Sequence, residues 1–252
     1  MRSHTHFTSA RYSSGNSLMK RDIRAIAFDA YGTLFDVDSV IAVCNRMFSG
    51  RGAELSNLWR AKQLEYTWLR SLSGQYQDFW MVTESALAFA CRSLNLVCSP
   101  QMHEELMESY LQLKVLSDVR PALTKLSHYK LAILSNGSPR MLAAAMESAG
   151  LNSAFTDVIS VDEVKIFKPS PRVYGLVSQH LGVADSAVAF VSSNFWDIAG
   201  AKSFGFWTCW VNRGKLPEEE LGVLPDVTTT TLDGLIRALG DPTARRDEWP
   251  EA

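Results

Sequence analysis

Three apolar runs of the sequence end in residues that could carry out nucleophilic or acid–base chemistry. These residues are Asp29 and Thr33 after the first run, Ser135 and Asn136 after the second, and Ser192, Asn194 and Asp197 after the third. A carboxylate at the tip of a buried strand, such as Asp29, can act as a nucleophile. Each residue alone is more often a turn residue or a helix cap than a catalyst. Because helix caps and turns do not account for all of these residues together, we expect them to lie in one pocket.

A cation and an anion-binding turn add to this set. Lys168 precedes a predicted helix, and a cation close to Asp29 would stabilise the ionised carboxylate. Taken alone, Lys168 would be interpreted as a solvated surface residue. Ser135 and Asn136 also precede a predicted helix, and the N–H groups at a helix N-terminus favour anions. Their alternative role is to cap that helix. The pattern predicts a carboxylate nucleophile beside a site for an anionic group.

The order of the predicted elements explains why these residues should meet. Strands are predicted at 23–30, 130–134, 158–161, 187–191 and 206–211, and helices at 139–149, 171–181 and 195–204. Strands that alternate with helices of this length favour a mainly parallel sheet with helices on both faces. Ligands of such sheets bind at the carboxyl ends of the strands. The sequence therefore predicts an α/β fold with its site at that edge.

A block of helical pattern interrupts this alternation after the first strand. Helices are predicted at 57–72, 78–94 and 100–113, and the block as a whole is expected to hold four or so helices. We expect a core at 21–36 and 116–240, a helical cap at 37–115, a disordered tail at 1–20 and a frayed tail at 241–252. The first 18 residues contain no Asp or Glu, which is also typical of a targeting segment. We favour the disordered tail.

Composition excludes several classes of protein. Hydrophobic residues make up 46% of the chain and charged residues 21%, as in ordinary globular proteins. The net charge of −2 is too close to zero, and of the wrong sign, to attract nucleic acid or an anionic membrane. No apolar run is long enough to span a bilayer. Four scattered cysteines predict reduced thiols and a cytoplasmic location. Without a G-x-G-x-x-G or Walker pattern, no nucleotide cofactor is expected.

Four motifs resemble those of the haloacid dehalogenase (HAD) superfamily. They are F-D-A-Y-G-T-L-F-D at 28–36, S-N-G at 135–137, K-P at 168–169 and S-S-N-x-x-D at 192–197. Their order and spacing match the superfamily over most of the chain. The resemblance implies a HAD-like Rossmannoid core, with a mainly parallel sheet flanked by helices, and a helical cap inserted after the first strand.

The chain departs from the magnesium-dependent phosphatases that make up most of this superfamily. Tyr31 stands where a phosphatase has its second aspartate, and Ser192–Ser193 stands where its acidic metal ligands begin. Mg²⁺ requires several oxygen ligands, usually including carboxylates, and Asp29 with Asp197 makes a poor site. We therefore expect no metal and no cofactor.

A second set of motifs is similar to the type II (S)-2-haloacid dehalogenases, also called L-2-haloacid dehalogenases. L-W-R-A-K-Q-L-E-Y-T-W-L-R-S-L at 58–72 resembles the stretch that carries the active-site arginine of that family, which maps to Arg60. R-V-Y at 172–174 and S-S-N-F-W-D at 192–197 also match. The resemblance implies hydrolytic dehalogenation of short (S)-2-haloalkanoic acids through an aspartyl ester, with inversion at C2. It also implies that the protein forms a homodimer. The small molecule that it binds is implied to be a 2-haloacid.

The same resemblance assigns roles to particular residues. The implied catalytic residues are Asp29, Thr33, Arg60, Ser135, Lys168, Tyr174, Ser192, Asn194 and Asp197. The implied substrate-binding residues are Ala30, Tyr31, Arg60, Leu64, Phe79, Ser135, Asn136 and Trp196. Two alternatives stay open: a magnesium-dependent phosphatase of the same fold acting on a small phosphate monoester, and a non-catalytic binding protein. EDTA sensitivity would separate the first alternative from a dehalogenase.

Overall fold

The computed structural model describes residues 22–240, and the tails predicted at 1–20 and 241–252 lie outside the described residues. Its strands are β1 (Ala25–Phe28), β2 (Phe35–Asp36), β3 (Lys114–Val115), β4 (Lys130–Ser135), β5 (Asp157–Ser160), β6 (Val188–Ser192), β7 (Trp207–Val211) and β8 (Val227–Thr229). Within 22–240, six of them form one sheet in the order β5-β4-β1-β6-β7-β8. All neighbouring pairs in this sheet are parallel. The predicted parallel α/β sheet is confirmed.

Helices cover this sheet and build the segment between β2 and β3. They are α1 (Ser39–Met47), α2 (Gly52–Leu72), α3 (Phe79–Ser93), α4 (Pro100–Ser109), α5 (Val119–Lys125), α6 (Pro139–Ala149), α7 (Pro171–Leu181), α8 (Phe195–Phe204) and α9 (Leu232–Leu239). Helix α6 begins at the N-cap Ser138, with Pro139 in its first turn. It ends at Gly150, whose φ of 56° is readily adopted by glycine. The sequence predicts both ends of α6 from these residues.

The first strand is shorter than the apolar run 23–30 that predicts it. Ala30 already belongs to the turn, because its carbonyl accepts the N–H groups of Thr33, Leu34 and Phe35. Gly32 adopts a φ of 87° in that turn, a conformation that side chains disfavour. The turn thus brings the side chains of Asp29 and Thr33 next to each other.

The sequence does not predict β8 and α9, and it extends α4 to Leu113 where the helix ends at Ser109. Strand β8 is the edge of the sheet and is only partly covered, so it lacks the apolar run that marks the central strands.

Helices α1 to α4 leave and rejoin the core through a short two-stranded connection. Strands β2 and β3 pair antiparallel, with Phe35 opposite Val115. Helix α2 packs on α3, and the Trp59 indole on α2 donates to the Thr83 carbonyl on α3 at 2.8 Å. Trp59 is completely buried. The division of the chain into a core and a cap with the bounds given above stays a prediction.

The state of the cysteines agrees with the prediction of reduced thiols. Among the described residues, all four cysteines are free, as predicted, and Cys44, Cys91 and Cys209 are buried. Burial raises the pKa of Cys44 to about 11 and the pKa values of Cys91 and Cys209 to about 12, so these groups stay protonated and are poor nucleophiles at neutral pH.

In the described part of the chain, no helix combines the length and apolar character needed to cross a membrane.

Candidate active site

The tips of three neighbouring strands place the predicted residues side by side. Phe28, the last residue of β1, lies opposite Ile133 of β4 and Val191 of β6. The Asp29 backbone N–H donates to the Val191 carbonyl at 2.9 Å, which continues the ladder for one further residue. The chain therefore delivers Asp29, the turn after β4 and the turn after β6 to one edge of the sheet, as expected for parallel strands.

The two carboxylate oxygens of Asp29 have different surroundings. Oδ2 accepts hydrogen bonds from Thr33 Oγ1 at 3.1 Å, Ser192 Oγ at 3.3 Å and Asn194 Nδ2 at 2.8 Å. Within residues 22–240, Oδ1 accepts from Lys168 Nζ alone, at 3.2 Å. Asp29 is buried, with 6% of its surface exposed. The side chain is thus fixed in orientation through Oδ2 while Oδ1 keeps lone pairs available.

Lys168 lies between two carboxylates in the interior. Its ammonium group is 2.8 Å from Asp197 Oδ2 and 3.2 Å from Asp29 Oδ1, and its side chain is completely buried. Burial by itself lowers the pKa of Lys168, but the Asp197 and Asp29 carboxylates more than offset this effect, so the pKa stands above its usual value. Lys168 is therefore a cation at neutral pH.

Asp197 is the most deeply placed acid of the cluster. Burial raises the pKa of Asp197 to about 6, although the Lys168 cation opposes the rise. The Tyr174 hydroxyl donates to Asp197 Oδ1 at 2.7 Å. Burial and the neighbouring carboxylate of Asp197 raise the pKa of Tyr174 well above its usual value, so Tyr174 stays a neutral donor. Asp197 is thus held on both oxygens and titrates close to neutral pH.

The turn after β4 joins this cluster through backbone contacts. Asn136 Oδ1 accepts from the Lys168 backbone N–H at 3.0 Å, which fixes the loop that carries the lysine. Ser135 Oγ accepts from the Gly137 N–H at 3.0 Å. A Cβ atom on Gly137 would lie 2.8 Å from the Tyr31 ring, so only glycine allows this close approach. The turns after β1 and β4 therefore pack directly on each other.

Arg60 reaches the same region from helix α2. Its positive charge opposes the rise that burial causes in the pKa values of Tyr31 and Tyr110, and the pKa of Tyr110 reaches about 12. The Tyr31 ring in turn contacts the Phe79 ring on α3, with centroids 5.7 Å apart. The helical segment thus places a cation and an aromatic ring beside the turn that follows Asp29.

Two predicted substrate-binding residues, Leu64 and Trp196, have no polar contact with the Asp29 cluster among residues 22–240. No hydrogen bond or ring contact within 22–240 joins Leu64 or Trp196 to the Asp29 carboxylate. Trp196 packs edge-on against Trp68, with ring centroids 5.6 Å apart. Leu64 lies four residues after Arg60 and so on the same face of α2. Their place in substrate binding stays a prediction.

The structure also adds residues that the sequence reasoning misses. Arg213, after β7, donates to the Thr33 carbonyl at 3.2 Å and pairs with Asp118 at 2.8 Å. Gln63 accepts a hydrogen bond from Arg60. The signal for Gln63 is its spacing of three residues from Arg60 on a helix, whereas nothing local marks Arg213. Among the described residues, no three His, Cys, Asp or Glu side chains gather in a way that could hold a metal ion.

Comparison with known proteins places this geometry in a family. The model of the haloacid dehalogenase-like hydrolases matches residues 23–205. The (S)-2-haloacid dehalogenase of Pseudomonas sp. (strain YL) is 50% identical over 216 residues, which cover 85% of this chain and 93% of that protein. Haloacetate dehalogenase H-2 of Moraxella sp. (strain B) is 42% identical, over 87% of this chain and 99% of that protein.

A solved structure supports the same assignment. The L-2-haloacid dehalogenase from Xanthobacter autotrophicus, with chloropropionic acid covalently bound, superimposes with a TM-score of 0.82 at 41% identity and covers 86% of this chain and 98% of that one. The chain therefore belongs to the haloacid dehalogenase-like hydrolases and, within them, to the (S)-2-haloacid dehalogenases, a family of hydrolases that act on carbon–halide bonds.

Proposed function

We propose that this protein hydrolyses short (S)-2-haloalkanoic acids to (R)-2-hydroxyalkanoic acids through an ester on Asp29. The observation that carries the proposal is the unequal surroundings of the two Asp29 oxygens. Three donors hold Oδ2, and Lys168 alone among the described residues approaches Oδ1. Oδ1 is then the oxygen free to attack. A covalent chloropropionic acid adduct in the Xanthobacter autotrophicus relative supports such an intermediate.

In the first step, Asp29 Oδ1 attacks C2 of the substrate from the side opposite the halogen. The C2–halogen bond breaks, the halide leaves with the bonding electrons, and C2 is inverted. Arg60 stabilises the developing halide charge, because a cation in a site shielded from water acts far more strongly than in bulk solvent. Asn136, Phe79 and Trp196 would complete the surroundings of the halide.

In the second step, water attacks the Cγ atom of the Asp29 ester, and the bond between Cγ and Oδ1 breaks. Oδ2 bears the negative charge of the tetrahedral intermediate, and its three donors, Thr33, Ser192 and Asn194, are already in place to stabilise that charge. Asp197 accepts the proton of the water, and Lys168 orients Asp197 and the ester. The hydroxy acid leaves with the former Oδ1 atom, which takes the proton back from Asp197, and the regenerated Asp29 carboxyl releases its own proton to solvent.

Substrate recognition requires a site for the carboxylate of the haloacid. We assign it to Ser135, to the backbone N–H groups near Ala30 and Tyr31 in the turn after β1, and to those near Asn136 in the turn that leads into α6. The helix N-terminus there favours an anion. Leu64 would shape the space for the alkyl group. We further propose that helices α1 to α4 act as a cap over the core, and that the enzyme is a cytoplasmic homodimer.

Tyr31 argues against phosphatase chemistry at this site. It occupies the place of the second aspartate of a phosphatase, which takes and gives protons. Burial raises the pKa of the Tyr31 phenol, and the opposing effect of Arg60 is smaller. The phenol therefore stays protonated and is not a useful base near neutral pH.

The test is halide release from separate L- and D-2-chloropropionate, with and without EDTA. We expect release from the L form alone, unaffected by EDTA, with D-lactate as the product. Chloroacetate, which has no stereocentre, measures how far the activity extends to haloacetates. Absence of halide from any of these acids, together with Mg²⁺-dependent hydrolysis of p-nitrophenyl phosphate, would replace this proposal with the phosphatase.

The titration of Asp197 predicts an acid limit to turnover. Below a pH of about 6, Asp197 is protonated and cannot accept the proton of the attacking water. Steady-state kcat is therefore expected to fall about tenfold per pH unit below this value, because hydrolysis of the ester needs Asp197 as the base, whereas the first release of halide does not use Asp197. A kcat that stays constant from pH 7.5 to pH 5 would contradict this role of Asp197.

A further inference from the structure

A chain of hydrogen bonds runs through the interior of the helical segment from Arg60 to Phe79. Arg60 Nη1 donates to Gln63 Oε1 at 2.5 Å, and Gln63 Nε2 donates to Thr83 Oγ1 at 2.7 Å. Thr83 Oγ1 in turn donates to the Phe79 carbonyl at 2.6 Å. Gln63 and Thr83 are completely buried. We refer to these four residues as the hydrogen-bond chain.

The direction of the hydrogen-bond chain is fixed by its far end. The single hydroxyl hydrogen of Thr83 points to the Phe79 carbonyl, so Thr83 Oγ1 can only accept from its other neighbour. The amide of Gln63 must then present its NH₂ group to Thr83 and its carbonyl oxygen to Arg60. The reverse orientation would leave Thr83 facing an acceptor and Arg60 facing a donor.

Thr83 itself cannot shift easily. Its hydroxyl bonds the carbonyl one turn earlier on α3, a common arrangement for threonine in helices. Its own carbonyl accepts from the buried Trp59 indole on α2, the residue that precedes Arg60. Helices α2 and α3 are thus joined twice at this level, once through Trp59 and once through Gln63. The second link ends on the arginine.

We propose that Gln63 and Thr83 are positioning residues that hold the Arg60 guanidinium where the halide departs. This inference rests on the proposed dehalogenase function. A long arginine side chain loses considerable freedom when it is fixed, and an acceptor of fixed orientation supplies that order before the substrate binds. The hydrogen-bond chain affects the carbon–halogen cleavage step, because Arg60 acts in that step. Hydrolysis of the Asp29 ester does not depend on it.

Thr83→Val and Thr83→Ser test the hydrogen-bond chain as a matched pair. Valine keeps the shape of threonine but removes the acceptor for Gln63, and the amide is then free to turn its NH₂ group toward Arg60. The first release of halide from L-2-chloropropionate, measured by rapid mixing, should slow about tenfold to a hundredfold in Thr83→Val. Thr83→Ser keeps the hydroxyl and should stay within about threefold of the parent protein.

The leaving group provides a readout that a structural role would not change. Chloride depends on the cation more than bromide does, so Thr83→Val should lose more activity on the 2-chloro acid than on the 2-bromo acid. Thr67→Val is the control, because Thr67 is an equally buried threonine on α2 whose hydroxyl bonds the Leu64 carbonyl of its own helix. It should keep the parental ratio between the two acids.

The outcomes separate this inference from the proposed function. If the parent protein releases halide and Thr83→Val matches Thr67→Val in rate and leaving-group ratio, the hydrogen-bond chain has no positioning role and the function stands. If the parent protein releases no halide from either acid, the proposed function fails first. Should Thr83→Val not fold, Gln63→Met removes the acceptor of Arg60 directly, and parental behaviour of Gln63→Met would equally overturn the inference.

Discussion

An Asp29→Ala variant should release no halide from L-2-chloropropionate, a loss of about 10⁴-fold or more in kcat. The reason is chemical, because the Asp29 carboxylate is the nucleophile of the first step and no neighbouring group can take its place. Lys168 is a cation that donates to Oδ1, and Thr33, Ser192 and Asn194 are neutral groups that donate to Oδ2 and are far weaker nucleophiles than a carboxylate. The measurement is halide release under conditions in which the enzyme exceeds the substrate.

Labelled water tests the same residue in the parent protein. With enzyme in excess and H₂¹⁸O as solvent, the first turnover should place ¹⁸O in the Asp29 carboxylate and leave the lactate unlabelled. Mass spectrometry of the peptide that contains Asp29 locates the label. Label that appears directly in the lactate would mean that water attacks C2, and the ester route would be wrong.

Asp36→Asn serves as the matched control for Asp29→Ala. Asp36 belongs to the same motif, but it is half-buried in β2 and accepts from the Asp38 backbone N–H at 2.9 Å. Asparagine preserves that acceptor. The control variant should keep halide release within about threefold of the parental rate, since Asp36 is only half-buried and asparagine keeps its hydrogen bond.

Lys168→Met should lose turnover and, unlike Asp29→Ala, should also lose much of its stability. The substitution leaves the carboxylates of Asp29 and Asp197 buried without their cation, and breaking a buried pair in this way costs about 3 to 5 kcal/mol. Urea unfolding at pH 7.5 should report a loss of this size. Lys165→Met is the control, because Lys165 is an exposed lysine of the same loop, and its pair with Asp162 contributes at most about 1 kcal/mol.

The stability lost in Lys168→Met should depend on pH in a defined direction. Burial already raises the pKa of Asp197 to about 6, and removal of the cation that opposes this rise moves it higher. An acid whose pKa is higher in the folded state binds more protons when folded, so the free energy of unfolding increases as the pH falls. The deficit relative to the parent should therefore shrink between pH 7.5 and pH 5. An equal deficit at both values would show that lost packing, rather than buried charge, causes it.

The sequence determines the parts of this protein that depend on short stretches of chain. Apolar runs predict the strands β1, β4, β5, β6 and β7, and a proline followed eleven residues later by glycine predicts both ends of α6. The motifs that contain Asp29, Ser135, Lys168 and Asp197 carry the family assignment. These features act over a few residues, through burial, backbone geometry and turn chemistry, so they can be recognised before the fold is known.

The tertiary structure alone decides which of these residues touch. Lys168 and Asp29 lie 139 positions apart in the chain, and the sequence cannot tell that the ammonium group lies between two carboxylates rather than in solvent. The same holds for Arg213 on the Thr33 carbonyl and for Gln63 between Arg60 and Thr83. Such contacts depend on how helices pack on the sheet and on each other. A shift of one ångström in that packing would make or break a hydrogen bond without changing any local pattern, which is why only the folded chain specifies them.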